Sequence, residues 1–343
     1  MQRRLPNLPP FVEDTARTAY QAAMRIRHRA VSRILHLDAV EQRFEHHITH
    51  CVRPRWEALG AVRHSHFFSL NEFVHSPTLR PGVISIAHNG LPLDMSLRIK
   101  QGAPLLVVLH GAMSEDVRLP FLSGQSVSKN LAVSKLSLSD PSLYLNPGLN
   151  LSWFAGNTHQ PRLHDDLTRV ITKVAHHCGA PRIILLGGSG GGFAAISLAA
   201  RLEHATAVAM NPQTDIFRYH HNHVNAYIDM AWGGDRELFI SQGVHNLSRT
   251  LLESTARPQI LYMQNSNDDF HVAHHLQRFI KEIGDYPFSL LQKPWRDGHT
   301  PPPKPLISRV LALLAANQYA QLAALGFVHH GSAAGDAVGS SGQ

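Results

Sequence analysis

The most informative segment of the sequence is Leu185-Leu-Gly-Gly-Ser-Gly-Gly-Gly-Phe193. It contains the pattern G-x-S-x-G, with Ser189 at its centre. The apolar run at 182–186 before it predicts a buried strand, and the small residues at 192–202 after it predict a helix. A serine between strand and helix sits on a sharp turn that exposes its oxygen, and glycine is needed where a side chain would collide with either element. We therefore interpret Ser189 as a candidate nucleophile.

Two other kinds of glycine-rich loop fit this stretch less well. A phosphate-binding loop requires G-x-x-x-x-G-K-[ST], and the lysine is missing here. A dinucleotide-binding G-x-G-x-x-G that starts at Gly188 fails because Phe193 occupies the place of the third glycine. Starting at Gly190, it matches only the looser form that ends in alanine, at Ala195, and no acidic residue follows the next strand at the ribose-binding distance.

The segments around this turn alternate between strand and helix patterns. The apolar runs at 104–109 and 182–186 are nearly continuous, which is typical of strands covered on both faces. Such alternation predicts an α/β fold with a doubly wound, mostly parallel sheet, preceded by antiparallel opening strands. The predicted strands are 67–74, 82–86, 93–99, 104–109, 131–138, 182–186, 205–210, 258–263 and 288–292, and the predicted helices are 165–177, 192–202, 272–283 and 305–321.

A serine hydroxyl needs a base, because it is a poor nucleophile at neutral pH. Chains with this kind of turn carry their nucleophile, acid and histidine in that order. His299, in Trp295-Arg-Asp-Gly-His299-Thr-Pro-Pro, follows the last predicted strand and precedes the closing helix. The sequence therefore places His299 over the carboxyl edge of the sheet, together with Ser189, as the candidate general base.

The acid is expected in the loop after the 258–263 strand, which reads Gln264-Asn-Ser-Asn-Asp-Asp-Phe-His271. A carboxylate there orients the imidazole and stabilises the imidazolium that forms when the proton is taken. Asp268 is the first candidate because it lies shortly beyond the end of the strand. The adjacent Asp269 is the alternative, and Asp215, after the 205–210 strand, is a weaker third candidate.

Two more loops at this edge supply candidate polar groups. Negative charge on a substrate oxygen needs two backbone donors, for which the amides of Gly190 and of Ala112, in the loop after the 104–109 strand, are predicted. The segment Asn211-Pro-Gln-Thr-Asp-Ile216 also follows a strand. Gln213 and Thr214 are therefore candidates for holding a polar substrate, and they are equally well explained as satisfied turn residues.

These segments together resemble the α/β-hydrolase superfamily of serine esterases over about residues 65 to 325. A narrower likeness is to a bacterial branch found with surface-polysaccharide and accessory-Sec glycoprotein genes, whose members are believed to act on acyl groups of glycans, or to add them. That likeness is carried by Ser139-Asp-Pro-Ser142, Trp153-Phe-Ala-Gly156, Gly188-Ser-Gly-Gly-Gly-Phe-Ala-Ala195, Asn211-Pro-Gln-Thr-Asp-Ile216 and Gln264-Asn265. The pair of aspartates before His271 departs from the family pattern and leaves the acid open.

Composition and charge indicate the class of protein and its compartment. The 343 residues suit one α/β domain with extensions, 43% of them are hydrophobic, and the net charge is +7. No aromatic-interleaved basic stretch indicates nucleic-acid binding, and no run reaches about 18 apolar residues, so no membrane span is expected. Two cysteines form no disulfide framework, and the start of the chain lacks the pattern of a secretory signal, which favours the cytoplasm.

The 25 histidines include clusters that a metal ion could use, since a spacing of four residues puts two imidazoles on one helix face. No HExxH pattern or cysteine pair accompanies them, so we interpret them as surface histidines and expect neither a metal ion nor another cofactor. The clusters are His46, His47 and His50; His220, His221 and His223; and His271, His274 and His275.

Three regions are predicted along the chain, and the second contains an insertion. Residues 1–60 form an amphipathic helical extension, with apolar residues recurring mostly at steps of three and four. Residues 61–330 form the α/β domain, in which 215–257 is an aromatic-rich insertion that caps the pocket. Residues 331–343 are small and polar, and we expect them to be disordered.

The sequence supports three hypotheses for function. The first is a carboxylic-ester hydrolase in which Ser189 forms an acyl-enzyme and water releases the acyl group from a glycan ester or a small acyl ester. The second keeps the same residues and transfers the acyl group to a glycan hydroxyl. The third is a non-catalytic scaffold for glycan assembly, which would not need an intact set of serine, histidine and aspartate. The sequence does not settle the specificity or the oligomeric state.

Overall fold

The computed structural model describes residues 39–55, 63–114 and 117–331. The chain divides into a unit of residues 1–46 and a unit of residues 47–343. Most of the predicted N-terminal extension and all of the predicted tail after residue 331 lie outside the described residues. Within the first unit, residues 39–45 are helical. Residues 46–55 form turns and a bridge, so the prediction of helix is wrong there.

Ten described strands form one sheet in the order β1-β2-β3-β5-β4-β6-β7-β8-β9-β10. Eight of them run in one direction, and only β3 and β10 run against it. The predicted α/β class with a mostly parallel sheet is confirmed. The strands are β1 (His64–Phe67), β2 (Gly82–His88), β3 (Leu91–Arg98), β4 (Leu105–Leu109), β5 (Ser134–Leu138), β6 (Ile183–Gly188), β7 (Ala205–Met210), β8 (Gln259–Asn265), β9 (Phe288–Lys293) and β10 (Val328–His330).

Helices fill the connections between the parallel strands. One turn of π-helix lies at Val272–Leu276, and short 3₁₀ turns lie at Pro141–Tyr144, Ile216–Arg218 and Tyr319–Leu325. The helices are α1 (Leu70–His75), α2 (Gln125–Ser128), α3 (Leu163–Cys178), α4 (Gly190–Ala199), α5 (His221–Trp232), α6 (Arg236–Gln242), α7 (Leu247–Glu253), α8 (Asp269–His271), α9 (Gln277–Ile283) and α10 (Lys304–Ala315).

The central strands are buried on both faces, which explains their continuous apolar runs. In β4, Leu105, Val107 and Leu109 pack into one hydrophobic cluster, while Leu106 and Val108 pack into another on the opposite face. Helices α3 and α4 contribute to the first cluster, and α10 contributes to the second. Helices therefore cover both faces of the sheet, and the predicted doubly wound arrangement is confirmed.

The strand predicted at 67–74 is wrong over most of its length. The chain leaves β1 at Phe67 and forms helix α1 from Leu70. The side chain of Ser69 accepts a hydrogen bond from the amide of Glu72, and the Glu72 carboxylate accepts one from the amide of Phe68. This capping arrangement satisfies amides that a helix start leaves unpaired, and it outweighs the β propensity of the flanking residues.

The opening and closing strands differ from expectation in two further ways. Strand β2 runs antiparallel to β3 as predicted, but β1 runs parallel to β2. After α10 ends at Ala315, the chain forms a 3₁₀ turn and returns as β10, an edge strand antiparallel to β9 that was not predicted. Three residues are too short for alternation to be visible in a sequence.

The carboxyl ends of β4, β6, β7, β8 and β9 lie side by side at one edge of the sheet, because these strands are neighbours and parallel. The loops that leave them carry Ala112, Ser189, Gln213, Asp268 and His299 in turn. The topology thus brings every predicted site residue to the same edge. In the described part of the chain, no helix combines the length and the apolar character needed to cross a membrane.

Candidate active site

Ser189 lies on the sharp turn that joins β6 to α4. Its backbone has φ 56° and ψ −122°, a conformation that non-glycine residues rarely adopt, and its side chain is partly exposed. A Cβ at Gly187 would lie 2.0 Å from the carbonyl oxygen of Gly191, and one at Gly191 would lie 2.3 Å from that of Leu109. Only glycine fits at both places, as the sequence pattern predicts for a strained turn that presents its serine.

Asp268 accepts hydrogen bonds from two histidines. His299 approaches from the loop after β9, with its Nδ1 at 2.6 Å from Asp268 Oδ2. His271 lies three residues along the chain, with its Nδ1 at 2.9 Å from Asp268 Oδ1. The two imidazole rings are stacked, with centroids 3.9 Å apart. The structure therefore joins the predicted base and acid and adds a second histidine to them.

The ionisation of Asp268 fixes the protons of both histidines. Burial disfavours the charged form, but hydrogen bonds from His271 and His299 outweigh it and hold the pKa of Asp268 well below its usual range. A carboxylate can only accept hydrogen bonds, so each histidine carries a proton on Nδ1. This leaves the Nε2 lone pair of His299, whose side chain is 37% exposed, available as a base.

The other two candidate acids are placed differently. Asp269 is exposed at the start of α8. Asp215 accepts hydrogen bonds from the amide of Phe217 and the side chain of Asn246. Neither carboxylate forms a hydrogen bond with a histidine in the described residues, so the geometry favours Asp268.

The amide of Gln213 lies between Ser189 and His271. Its Nε2 is 2.6 Å from Ser189 Oγ and 3.1 Å from His271 Nε2, while its oxygen accepts a hydrogen bond from the indole of Trp153. No hydrogen bond joins Ser189 to His299 in the part of the chain that the structure describes. Gln213 is wholly buried, and both its amide nitrogen and its amide oxygen form hydrogen bonds within the protein, so its side chain does not face open solvent.

The side chain of Thr214 also points towards the protein interior. Its amide donates to His275 Nδ1 and its hydroxyl donates to the His275 carbonyl oxygen, so it has the contacts of a satisfied turn residue. Burial lowers the pKa of His275 to about 2, which keeps this imidazole neutral as an acceptor. A substrate contact by Thr214 stays a prediction.

The two amides predicted to bind an oxyanion belong to Gly190, the residue after Ser189, and to Ala112 in the loop after β4. The loop after β4 packs directly against the turn, since a Cβ at Gly111 would lie 2.9 Å from the Gly188 carbonyl oxygen and 3.4 Å from Ser189 Cβ. Among the described residues, the amides of Gly190 and Ala112 donate no backbone hydrogen bond. They are free to donate to a substrate oxygen, and this role stays a prediction.

Asparagine side chains hold the loop that carries His299. Asn265, at the end of β8, is wholly buried and donates to the carbonyl oxygens of Arg296 and Gly298. Its own oxygen accepts from the amides of Trp295 and Asn267. Asn211, at the end of β7, accepts from the amide of Asn265 and donates to the carbonyl oxygen of Thr300. The two asparagines therefore tie the histidine loop to the ends of its neighbouring strands.

His271, Trp153 and Asn265 were not predicted as site residues. The prediction that His271 and His275 are surface histidines is wrong, since they are 2% and 0% exposed. The spacing of three between Asp268 and His271 on one short loop was the available signal, because it places the second residue within a helical turn of the first.

Asp268, His271 and His299 offer three ligand atoms close together, which raises the question of a metal ion. Both Nδ1 atoms approach the Asp268 carboxylate directly, at hydrogen-bond distance from the same oxygen. The distances of 2.6 and 2.9 Å to the carboxylate are those of hydrogen bonds, so the geometry suits proton sharing rather than metal ligation.

No family model matches the chain, and a search of curated proteins found no match. Among solved structures, a protein described as a dipeptidyl aminopeptidase IV from Bacteroides ovatus is similar, with a TM-score of 0.50 and 15% identity over 69% of this chain and 35% of that chain. An S-formylglutathione hydrolase from Agrobacterium tumefaciens has a TM-score of 0.48 and 15% identity, over 69% and 93% of the two chains. The capsule O-acetyltransferase of Neisseria meningitidis serogroup A has a TM-score of 0.49 and 13% identity, over 68% and 95%.

At these identities the likeness concerns the fold alone. The sheet order, the helices on both faces and the turn between β6 and α4 are those of an α/β-hydrolase fold, which the chain therefore has. The narrower likeness to a bacterial glycan-associated branch stays a prediction.

Proposed function

We propose that the chain hydrolyses carboxylic esters through an acyl-enzyme formed on Ser189. One observation carries the proposal. A serine on a strained turn and an Asp268–His299 pair joined at 2.6 Å emerge from β6, β8 and β9 at the same edge of the sheet. A fold maintained only for binding has no need of this combination.

The proposed reaction uses each residue at a named atom. His299 Nε2 takes the proton of the Ser189 hydroxyl as Oγ attacks the ester carbonyl, and Asp268 stabilises the imidazolium that results. The amides of Gly190 and Ala112 stabilise the negative oxygen of the tetrahedral intermediate. The proton then passes from His299 to the leaving alcohol, and water, activated by the same histidine, releases the acid and restores the serine.

The resting contacts of Ser189 support this order of events. Its Oγ accepts a hydrogen bond from Gln213, so its own hydrogen is not committed by any contact in the described residues. The contact between a base and its serine is often long before substrate binds and tightens in the complex. We therefore expect the serine to turn its hydrogen towards His299 when an ester enters.

The test is covalent labelling. Purified wild-type protein, Ser189→Ala and Ser241→Ala are treated with a fluorophosphonate probe and with p-nitrophenyl esters of increasing acyl length. Ser241 is an exposed serine on α6, so its variant controls for labelling of serines in general. Labelling and hydrolysis that disappear only in Ser189→Ala support the proposal. Wild-type protein that is folded but does not label contradicts it and favours the scaffold hypothesis.

The same preparation distinguishes hydrolysis from acyl transfer. After the acyl-enzyme has formed, the products are analysed in water alone and with an added oligosaccharide acceptor. Release of free acid at the same rate in both reactions supports hydrolysis. Appearance of an acylated oligosaccharide at the expense of free acid supports an O-acyltransferase with the same nucleophile.

A further inference from the structure

The orientation of the Gln213 amide can be assigned from its neighbours. The indole nitrogen of Trp153 is only a donor and lies 3.2 Å from one end of the amide, so that end is the oxygen. The nitrogen therefore faces Ser189 Oγ and His271 Nε2. An amide nitrogen offers two hydrogens and accepts none, so both contacts are donated by Gln213.

These donations determine the state of His271. Its Nε2 must accept from Gln213, so its single proton is on Nδ1 and is donated to Asp268. Burial, the largest influence, lowers the pKa of His271, which favours this neutral form. A line of hydrogen bonds thus connects Ser189 to Asp268 through Gln213 and His271, beside the direct contact of Asp268 with His299.

The backbone that holds Trp153 is strained. Trp153 and Phe154 both have positive φ, at 53° and 54°, although neither is glycine. The amide of Phe154 donates to the buried carboxylate of Asp140, 2.5 Å away, which holds the pair in this conformation. Positive φ in consecutive bulky residues is costly and is found mainly where a side chain must be aimed. Here the indole that it aims fixes the Gln213 amide.

Resting on the proposed function of Ser189, we propose that Gln213 and His271 are positioning residues for its reaction. Gln213 presents only a donor to Ser189 Oγ, so the hydroxyl hydrogen cannot be given to Gln213 and stays available for His299 when an ester enters. His271 accepts a hydrogen bond from Gln213, which holds the amide in this orientation. It also donates to Asp268 Oδ1, which keeps the carboxylate oriented towards His299. The two residues act through Ser189 and Asp268 and exchange no proton with substrate.

The isosteric variant Gln213→Glu tests this directly. A carboxylate oxygen in place of the amide nitrogen can only accept, so it takes the Ser189 hydrogen away from His299. It also requires a proton on His271 Nε2. The titratable groups around that imidazole are Asp268, His299, His275, His220 and Tyr219.

We expect Gln213→Glu to react with the fluorophosphonate about 100-fold more slowly than wild type at pH 7. Gln213→Ala removes the donor without adding an acceptor and should lose about 10-fold. Gln160→Glu is the matched control, since Gln160 is also wholly buried but contacts Asn157 and the His88 carbonyl oxygen instead of the serine. Its labelling rate, corrected for the folded fraction, should stay near that of wild type.

Nitrogen-15 NMR of the histidines gives a readout that does not depend on activity. In wild type at pH 7, His271 should show a protonated Nδ1 and an unprotonated Nε2, and in Gln213→Glu both nitrogens should be protonated. Equal labelling rates in wild type and both Gln213 variants would overturn the positioning role. If wild type does not label at all, the proposed function fails, and an Nε2-protonated His271 in the wild-type spectrum would then overturn the hydrogen-bonded line as well.

Discussion

At the scale of the single residue, Asp268 and Asp269 form a natural comparison. They are adjacent and chemically identical, but only Asp268 is buried against His271 and His299. We expect Asp268→Asn to lower kcat for ester hydrolysis by about three to four orders of magnitude, because an amide replaces one accepting oxygen with a donor and carries no charge to stabilise an imidazolium. Asp269→Asn should stay within about two-fold of wild type.

Steady-state kinetics on one p-nitrophenyl ester would check this pair of variants. The opposite ranking, with Asp269→Asn the slower enzyme, would mean that the loop rearranges when substrate binds. Thermal unfolding of both variants in parallel separates loss of activity from loss of the fold.

The backbone conformation that presents Ser189 for reaction also lowers the stability of the folded protein. Its positive φ costs about 1–3 kcal/mol for a residue with a Cβ. Glycine relieves that strain but adds about 0.5–1 kcal/mol of chain entropy to the unfolded state. Ser189→Gly should therefore be inactive but about 1 kcal/mol more stable than Ser189→Ala, which keeps the strain. Urea denaturation of the two inactive variants measures the difference, and equal midpoints would argue against strain at the turn.

Among the structural elements, the loop between β9 and α10 is held in place by hydrogen bonds to Asn265 at the end of β8. Asn265→Ala leaves the Arg296 carbonyl oxygen and two amides without partners and removes one of two donors to the Gly298 carbonyl oxygen, which should cost about 2–4 kcal/mol of unfolding free energy. Because the lost contacts hold the His299 loop, the labelling rate of Ser189 should also fall, by about 10-fold.

Asn157→Ala is the matched control for that variant. Asn157 is wholly buried and also takes part in four side-chain hydrogen bonds, to Ser142, His159 and Gln160, none of them in the histidine loop. Its loss should cost similar stability without a comparable loss of labelling by the folded protein. Parallel losses of labelling would show that Asn265 acts only through global stability.

The helices and strands differ in how well the sequence predicts them. The central strands and the serine turn were predictable because continuous apolar runs and obligatory glycines are local properties of the chain. The helix at Leu70–His75 was not, although its Ser69–Glu72 capping pair was present in the sequence. The line through Gln213 and His271 depends on which way two loops turn relative to each other, and single-sequence patterns carry no such information.

At the scale of the whole molecule, buried histidines couple stability to pH. Burial lowers the pKa of His110 to about 4 and of His275 to about 2, from an ordinary value of 6.5, and it also lowers those of His164 and His271. The unfolded chain therefore takes up protons on these imidazoles at a higher pH than the folded protein does. The folded state consequently loses stability as the pH falls below about 6.5.

One buried carboxyl acts in the opposite direction. Burial raises the pKa of Asp140 to about 6, so the folded protein binds this proton before the unfolded chain does, and stability gains between about pH 6 and pH 4. Four histidines outweigh one aspartate, and we expect the unfolding free energy from urea titrations to fall steadily from pH 7 to pH 4.5. A flat profile over that range would contradict the neutral state of the buried imidazoles.

The parallel strand order has a further consequence for the time course of folding. The site is assembled from five strand ends spread over residues 111 to 299, so no short fragment of the chain contains it, and it is complete only once β9 has paired with β8. Pairings between distant parts of a chain are the slow steps of folding. During refolding, reactivity of Ser189 towards a fluorophosphonate should therefore appear only after the last of these strands has docked. It reports the fraction of fully folded molecules, whereas circular dichroism reports helix content, which can form earlier.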